Sequence, residues 1–134
     1  MIAFLDSNIL VYYVTRIDEE KADRCLALMN LLEQGEIDLA TSELVIAEVV
    51  WLLQRRTSLS REEIREALLP LIQLPNLRVP NKQLWHRVFD LYCEKHVDFT
   101  DAHNAVMMKR AGITEIYSYD KDFDKIESIS RITP

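Results

Sequence analysis

The chain has 134 residues, a length that suits a single domain with a sizeable core, and we predict that residues 1–134 form one domain. Hydrophobic residues make up 49% and charged residues 28%, the balance of a soluble globular protein, and no apolar run is long enough for a membrane span. The net charge of −6 argues against nucleic-acid binding by charge alone, although carboxylates that carry metal ions can reverse the local field.

Apolar patterning in the first half of the chain predicts strands that alternate with helices. The segment IAFL reads as a short buried strand that enters a turn at DSN. Helical spacing of apolar residues then indicates a helix that ends near Gly35. The predicted elements are a strand at 2–5, a helix from Ala22 to Leu32, a strand at 37–40, a helix that holds 44–53 and a helix from 60 towards 73.

The second half continues in the same way, with two helices and three further strands. The predicted elements are a strand at 77–79, a helix marked by Leu84 to Tyr92, a helix from 98 to Ala111, a strand at 115–118 and a strand at 130–133. This order predicts an α/β fold built from βα units, with a mainly parallel central sheet that helices cover on both faces.

Two features of the sequence bear on the compartment. The N-terminal segment MIAFLDSN has no basic region before its apolar run and reaches an acid at position 6, so we predict no signal peptide. Cys25 and Cys93 each lie among apolar residues at helical spacing, as buried thiols of a reducing cytosol do. The expected location is therefore the cytoplasm.

A parallel α/β sheet places ligands outside the carboxyl ends of its strands, so acids that follow strands are candidate site residues. Asp6 follows the first predicted strand, and Asp120 follows the strand at 115–118. Glu48 is the one acid in the apolar stretch LVIAEVVWLL, and Asp101 lies in the first turn of the helix that DFTD opens. Acids from four elements could therefore meet at one edge of the sheet.

Each of these acids also has a simpler interpretation. Asp6 suits a turn or a helix N-cap, Asp101 could close a capping box begun by Asp98, and Asp120 could be a solvated loop residue. Glu48 could pair with an arginine or reach the surface. It is the hardest to dismiss, because a carboxylate among apolar residues needs a partner, and a metal ion is one candidate.

If the four acids lie close together, they could bind one metal ion. Like charges packed together raise one another's pKa unless a cation neutralises them. Carboxylate oxygens suit Mg²⁺ or Mn²⁺, and such sites serve hydrolysis of phosphate esters. The set contains no histidine or cysteine nucleophile, which favours direct attack by water over a covalent intermediate.

Four segments in this order resemble the PIN domain, and more narrowly the toxic ribonucleases of the virulence-associated-protein C (VapC) kind. They are FLDSNIL, SELVIAEVVWLL, DFTDAHNAVMMKRAG and IYSYDKDFDKI, and the likeness covers essentially the whole chain. The resemblance implies a three-layer α/β/α fold, a site for Mg²⁺ with Mn²⁺ as an alternative, and endonucleolytic cleavage of RNA. It also implies a homodimer and an antitoxin partner whose tail covers the acidic site.

Matched residue by residue, the resemblance assigns the site. The acids that it implies as metal-binding and catalytic residues are Asp6, Glu48, Asp101 and Asp120. The residues that it implies in supporting positions are Asn8, Ser118, Asp98 and Asp122. His103 departs from the family pattern, and because it stands two residues from Asp101 on a helix, we predict that it lies at the surface or packs rather than binds metal.

Other functions remain open at this stage. The chain could be a PIN nuclease of RNA processing rather than a toxin, or an inactive module that uses its acidic edge to bind a basic partner. A metal-dependent phosphatase with an aspartate nucleophile is disfavoured, because Asn8 stands where the second acid is needed. Basic residues that could meet RNA phosphates, or simply form solvated helix faces, are Arg55, Arg56, Arg61, Arg65, Lys109, Arg110, Lys121 and Lys125.

Overall fold

The structure is a computed structural model and describes residues 2–134. The described chain forms two compact units that divide between Gln83 and Leu84. No helix within the described range is long and apolar enough to cross a lipid bilayer.

The first unit contains a sheet of three parallel strands in the order β1-β2-β3. Its strands are β1 (Ala3–Phe4), β2 (Leu39–Ala40) and β3 (Leu77–Arg78). Its helices are α1 (Ser7–Thr15), α2 (Glu19–Glu33), α3 (Glu43–Arg56) and α4 (Arg61–Ile72). Helix α1 packs against α2 and α3, and α3 packs against α4.

The second unit contains two helices and a parallel pair of strands. Its helices are α5 (Trp85–Glu94) and α6 (Phe99–Ala111), which pack against each other. Its strands are β4 (Glu115–Tyr117) and β5 (Ser130–Ile132). A 3₁₀ turn spans Lys121–Lys125 between the strands, and another spans Lys82–Leu84 where the units divide.

Most elements predicted from the sequence are present, and every strand pair among residues 2–134 is parallel, which confirms the α/β prediction. The predicted helix starts are confirmed at α3 and α4. The Ser42 hydroxyl accepts a hydrogen bond from the amide of Val45 at 3.1 Å. Ser60 and Glu63 form a complete capping box, with bonds of 3.1 and 3.0 Å.

Two local predictions are wrong. The segment after β1 is not merely a turn, because Ser7 begins the nine-residue helix α1 directly after Asp6. Strand β1 is also not buried: Ala3 and Phe4 are both exposed, and Phe4 is 61% exposed. β1 is the end strand of its three-stranded sheet, and the buried residue of this segment is Leu5.

The core of the first unit is built around α3. Its buried side chains are Val45, Ile46, Val49, Val50 and Leu53. Each such side chain contributes roughly 1.5–3 kcal/mol by leaving water. This burial explains the long apolar run in the sequence and fixes which face of α3 is left for polar residues.

An aromatic cluster forms the core of the second unit. The ring of Phe99 lies 5.0 Å from that of Phe89 and 5.5 Å from that of Tyr92, and it stacks with Trp85 at 6.1 Å. All four residues are buried. Because Phe99 is the first residue of α6, the cluster anchors the helix end that carries the predicted acids.

Candidate metal centre

Three aspartates of the second unit converge on one point. Asp101, Asp120 and Asp122 each offer a carboxylate oxygen, and these oxygens all lie within 4.8 Å of one another. Asp101 and Asp122 are half-buried, whereas Asp120 is exposed. The structure therefore brings together two of the predicted catalytic acids and one of the predicted supporting acids.

Asp101 owes its position to the buried start of α6. Phe99 fixes the first turn of this helix in the aromatic core, and Asp101 follows two residues later. Asp98 occupies the N-cap position, but within the described chain its side chain makes no capping hydrogen bond. The capping-box interpretation of Asp98 and Asp101 is therefore not what the structure shows.

Asp120 and Asp122 are held by a tight turn after β4. The Ser118 hydroxyl accepts a hydrogen bond from the amide of Asp120 at 3.0 Å. One carboxylate oxygen of Asp120 accepts from the amide of Asp122 at 2.9 Å, so Asp120 caps the 3₁₀ turn. Ser118 itself is fixed to β5, because its amide donates to the carbonyl of Ile132 at 3.1 Å.

Burial and neighbouring acids raise the pKa of Asp101 to about 6. Burial is the largest cause, followed by the charge of Asp120 and a hydrogen bond shared with it, and then by the charges of Asp98 and Asp122. Lys125 pairs with Asp122 at 3.0 Å and offsets part of this negative charge. A carboxyl that resists ionisation beside other acids marks a position where a cation would be stabilised.

The donor set fits a divalent cation. All three groups are carboxylates, and hard oxygen ligands are what Mg²⁺ and Mn²⁺ prefer. Ligand oxygens about 2.1 Å from an octahedral Mg²⁺ are about 3–4 Å apart, so a separation of up to 4.8 Å requires only small side-chain adjustments. The chemistry of these residues thus supports a divalent-metal site.

The first unit holds the other two predicted acids. Asp6 is exposed at the N-cap of α1, and the structure, as far as it describes the chain, shows no capping bond from its side chain. Glu48 is exposed on α3 and accepts a hydrogen bond from the Ser7 hydroxyl at 2.7 Å. Ser7 thus links the segment of Asp6 to the helix of Glu48, and Asn8, also exposed, lines a groove with α3 residues.

Sequence reasoning missed two residues at these sites. Ser7 is 5% exposed and is the partner of Glu48, although it looked like an ordinary turn residue. Arg131 contacts the loop that carries Asp120, and nothing in the pattern of β5 indicated this. The prediction for His103 is consistent with the structure, since its ring lies 5.5 Å from that of Trp85.

Comparison with known proteins identifies the family. The family model of the PIN domain matches residues 3–129, and the chain belongs to this family. The predicted three-layer α/β/α PIN-like fold is thereby confirmed.

Two known proteins resemble the chain along nearly its whole length. A VapC ribonuclease of Aquifex aeolicus (strain VF5) is 27% identical over 122 residues, which cover 91% of this chain and 90% of the relative. The crystal structure of VapC20 from Mycobacterium tuberculosis, described as a sarcin–ricin loop cleaving toxin, matches with a TM-score of 0.40 and 22% identity over 100% of both chains.

Proposed function

We propose that this chain is a Mg²⁺-dependent endoribonuclease that hydrolyses RNA phosphodiester bonds, and that it is the toxin of a type II toxin–antitoxin pair. The observation that carries the proposal is the convergence of Asp101, Asp120 and Asp122 in a PIN domain. The similarity to a VapC ribonuclease over 91% of the chain supports the choice of RNA as substrate.

Four acids are the proposed catalytic residues: Asp6, Glu48, Asp101 and Asp120. Asp101 and Asp120 are supported by their place in the acidic cluster, and Asp6 and Glu48 by the match of their segments to the family. The proposed supporting residues are Asn8, Ser118, Asp98 and Asp122. Ser118 acts through the hydrogen bond that holds Asp120, and Asp122 through its own carboxylate in the acidic cluster.

The chemistry assigned to each group follows from its surroundings. A bound divalent ion would lower the pKa of a water molecule and offset the charge of the phosphodiester. Asp101, whose pKa is raised to about 6 by burial and neighbouring acids, is the carboxyl whose ionised form a bound cation would stabilise most. Glu48 is oriented by Ser7 through one carboxylate oxygen, and its second oxygen is the proposed acceptor for a proton of the attacking water.

The proposal extends to the assembly and compartment of the protein. We propose that the protein is a homodimer in the cytoplasm. We also propose that an antitoxin protein binds it and covers the acidic site. Support for an interface comes from α3, where Leu44 is 82% and Trp51 55% exposed beside the buried core face. The guanidinium carbon of Arg55 lies over the Trp51 ring, 5.1 Å from its centroid. Exposed aromatic and arginine side chains of this kind are common in protein–protein interfaces.

The decisive experiment compares charge-neutral variants of acids inside and outside the proposed set. Asp6→Asn and Asp101→Asn should each lower cleavage of a labelled RNA in Mg²⁺ by at least about 100-fold, because each removes a charged oxygen ligand. Asp23→Asn and Glu127→Gln change one exposed acid in each unit and should retain wild-type activity. EDTA should abolish cleavage, and Mg²⁺ or Mn²⁺ should restore it.

Several outcomes would contradict the proposal. Full activity of both Asp6→Asn and Asp101→Asn would remove these acids from the mechanism. Cleavage that survives EDTA would rule out the metal. Hydrolysis of small phosphate esters without RNA cleavage would instead favour a phosphatase, and tight protein binding with neither activity would favour an inactive binding module.

A further inference from the structure

All three guanidinium nitrogen atoms of Arg131, a residue of β5, donate hydrogen bonds. Its Nη1 donates to the carbonyl oxygen of Ser118 at 3.2 Å. Its Nε and Nη2 donate to the two carboxylate oxygens of Asp124 at 3.1 and 3.2 Å. The Arg131 side chain is only 17% exposed, whereas that of Asp124 is 53% exposed.

These bonds join the two ends of one segment. Ser118 is the residue after β4, and Asp124 lies within the 3₁₀ turn. Between them stand Asp120 and Asp122, two of the three members of the acidic cluster. Arg131 thus clamps the acidic segment, residues 118–124, to strand β5 at both ends.

We propose that Arg131 is a positioning residue for the metal centre: its clamp keeps Asp120 and Asp122 within reach of the ion that Asp101 also binds. The inference rests on the proposed function, since it presumes a metal at the cluster. A bidentate guanidinium–carboxylate pair fixes orientation as well as distance, and side chains that orient metal ligands strongly affect metal affinity.

Electrostatics alone predicts the opposite effect of removing Arg131. The guanidinium is a positive charge beside a cation site, so its loss should strengthen cation binding by reducing repulsion. A clamp predicts weaker binding, because the freed segment must be ordered again each time an ion binds. The direction of the change therefore separates positioning from simple charge.

The test is Mn²⁺ binding measured by the electron paramagnetic resonance signal of free Mn²⁺, without RNA. Arg131→Ala should raise the Kd for Mn²⁺ about 10-fold. Arg131→Met keeps the apolar stem but loses the donors, and it should weaken binding to the same extent. Arg24→Ala is the matched control, because Arg24 also pairs with one acid, Glu20, but on the exposed surface of α2, and it should leave the Kd unchanged.

Circular dichroism and thermal melting decide whether each variant is folded before its affinity is compared. A folded Arg131→Ala or Arg131→Met protein with unchanged or tighter Mn²⁺ binding would overturn the inference. If neither variant folds, Arg131 serves stability rather than positioning, and the inference is overturned as well. If the wild-type protein binds no Mn²⁺, it is the proposed metal-dependent function that fails.

Discussion

Glu48 shows how an apolar helix can carry one carboxylate without burying it. The neighbours Val45, Val49 and Leu53 are buried, yet Glu48 is exposed on another face of α3. Its charge therefore stays in contact with water, and the large cost of burying an unpaired carboxylate does not arise. The bond from buried Ser7 then restricts the side chain to one orientation.

Ser7 should accordingly matter more for cleavage than for folding. We expect Ser7→Ala to lower kcat for RNA cleavage about 10-fold, because the Glu48 carboxylate loses its orienting donor. The free energy of unfolding should change by no more than about 1.5 kcal/mol, the usual net contribution of one hydrogen bond. Single-turnover cleavage of a defined RNA and urea denaturation measure the two effects.

Ser58→Ala provides the matched control for this prediction, because Ser58 is an exposed serine of the same unit. It should change neither quantity. Equal activity of the Ser7→Ala and Ser58→Ala proteins would show that the Ser7–Glu48 bond has no part in the reaction.

At the scale of elements, helices with a capping motif or a helical period of apolar residues were predictable, whereas helix α1 was not. The start of helix α4 was predictable from Ser60 and Glu63, because a capping box joins two residues that are three apart in the chain. Helix α1 was missed because residues 9–14 are one unbroken apolar run, which has no helical period to detect. The exposure of Phe4 depends on which elements pack on each face of the sheet, which local sequence does not specify.

The two kinds of helix start should respond differently to alanine. Ser60→Ala removes the hydroxyl that accepts a hydrogen bond from the amide of Glu63, and it should lower the free energy of unfolding by about 1 kcal/mol. Asp98→Ala removes an N-cap side chain without a capping bond, and it also relieves repulsion at Asp101, so it should cost little or no stability. Urea denaturation of metal-free protein at neutral pH measures both changes.

Glu62→Ala is a suitable control, since it changes an exposed residue of the same first turn of α4 outside the capping box. A loss of stability in Asp98→Ala as large as that in Ser60→Ala would contradict the structural difference between the two caps.

At the scale of the whole molecule, acids at strand ends could be predicted, but the bonds that orient them could not. Asp120 follows from its place after β4 and the general place of ligands in α/β sheets, whereas Asp101, in a helix that follows another helix, was assigned by the resemblance to the PIN domain. Ser7 bonds to a residue 41 positions away, and Arg131 to one 13 positions away. Such contacts arise only once the chain has folded, because no local pattern pairs those residues.

The stability of the metal-free chain depends on pH through Asp101, whose pKa is raised by burial and by the neighbouring acids. The pKa of Asp101 rises from 3.8 to about 6 on folding, so between these values the folded state binds more protons than the unfolded state. Stability from this group is therefore present at pH 4 and is lost as the pH rises through 6.

Asp101→Asn should remove this loss. Asparagine keeps the shape of the side chain and a donor towards Asp120 but carries no charge, so the variant should melt at the same temperature as the wild type near pH 4. Above pH 6 it should be more stable by about 1 kcal/mol, a value reduced for solvent screening of a half-buried group. In EDTA this corresponds to a Tm about 3–5 °C higher.

Glu127→Gln separates this local effect from net charge, because it removes one charge from an exposed position of the same unit. At pH 7 its Tm should exceed that of the wild type by much less than the Tm of Asp101→Asn does. Saturating Mn²⁺ should abolish the advantage of Asp101→Asn by stabilising the wild-type protein, since a ligand that binds only the folded state raises its stability. A Tm difference for Asp101→Asn that is the same at pH 4 and pH 7 would contradict the raised pKa, and with it the mutual repulsion that makes the acidic cluster a place for a cation.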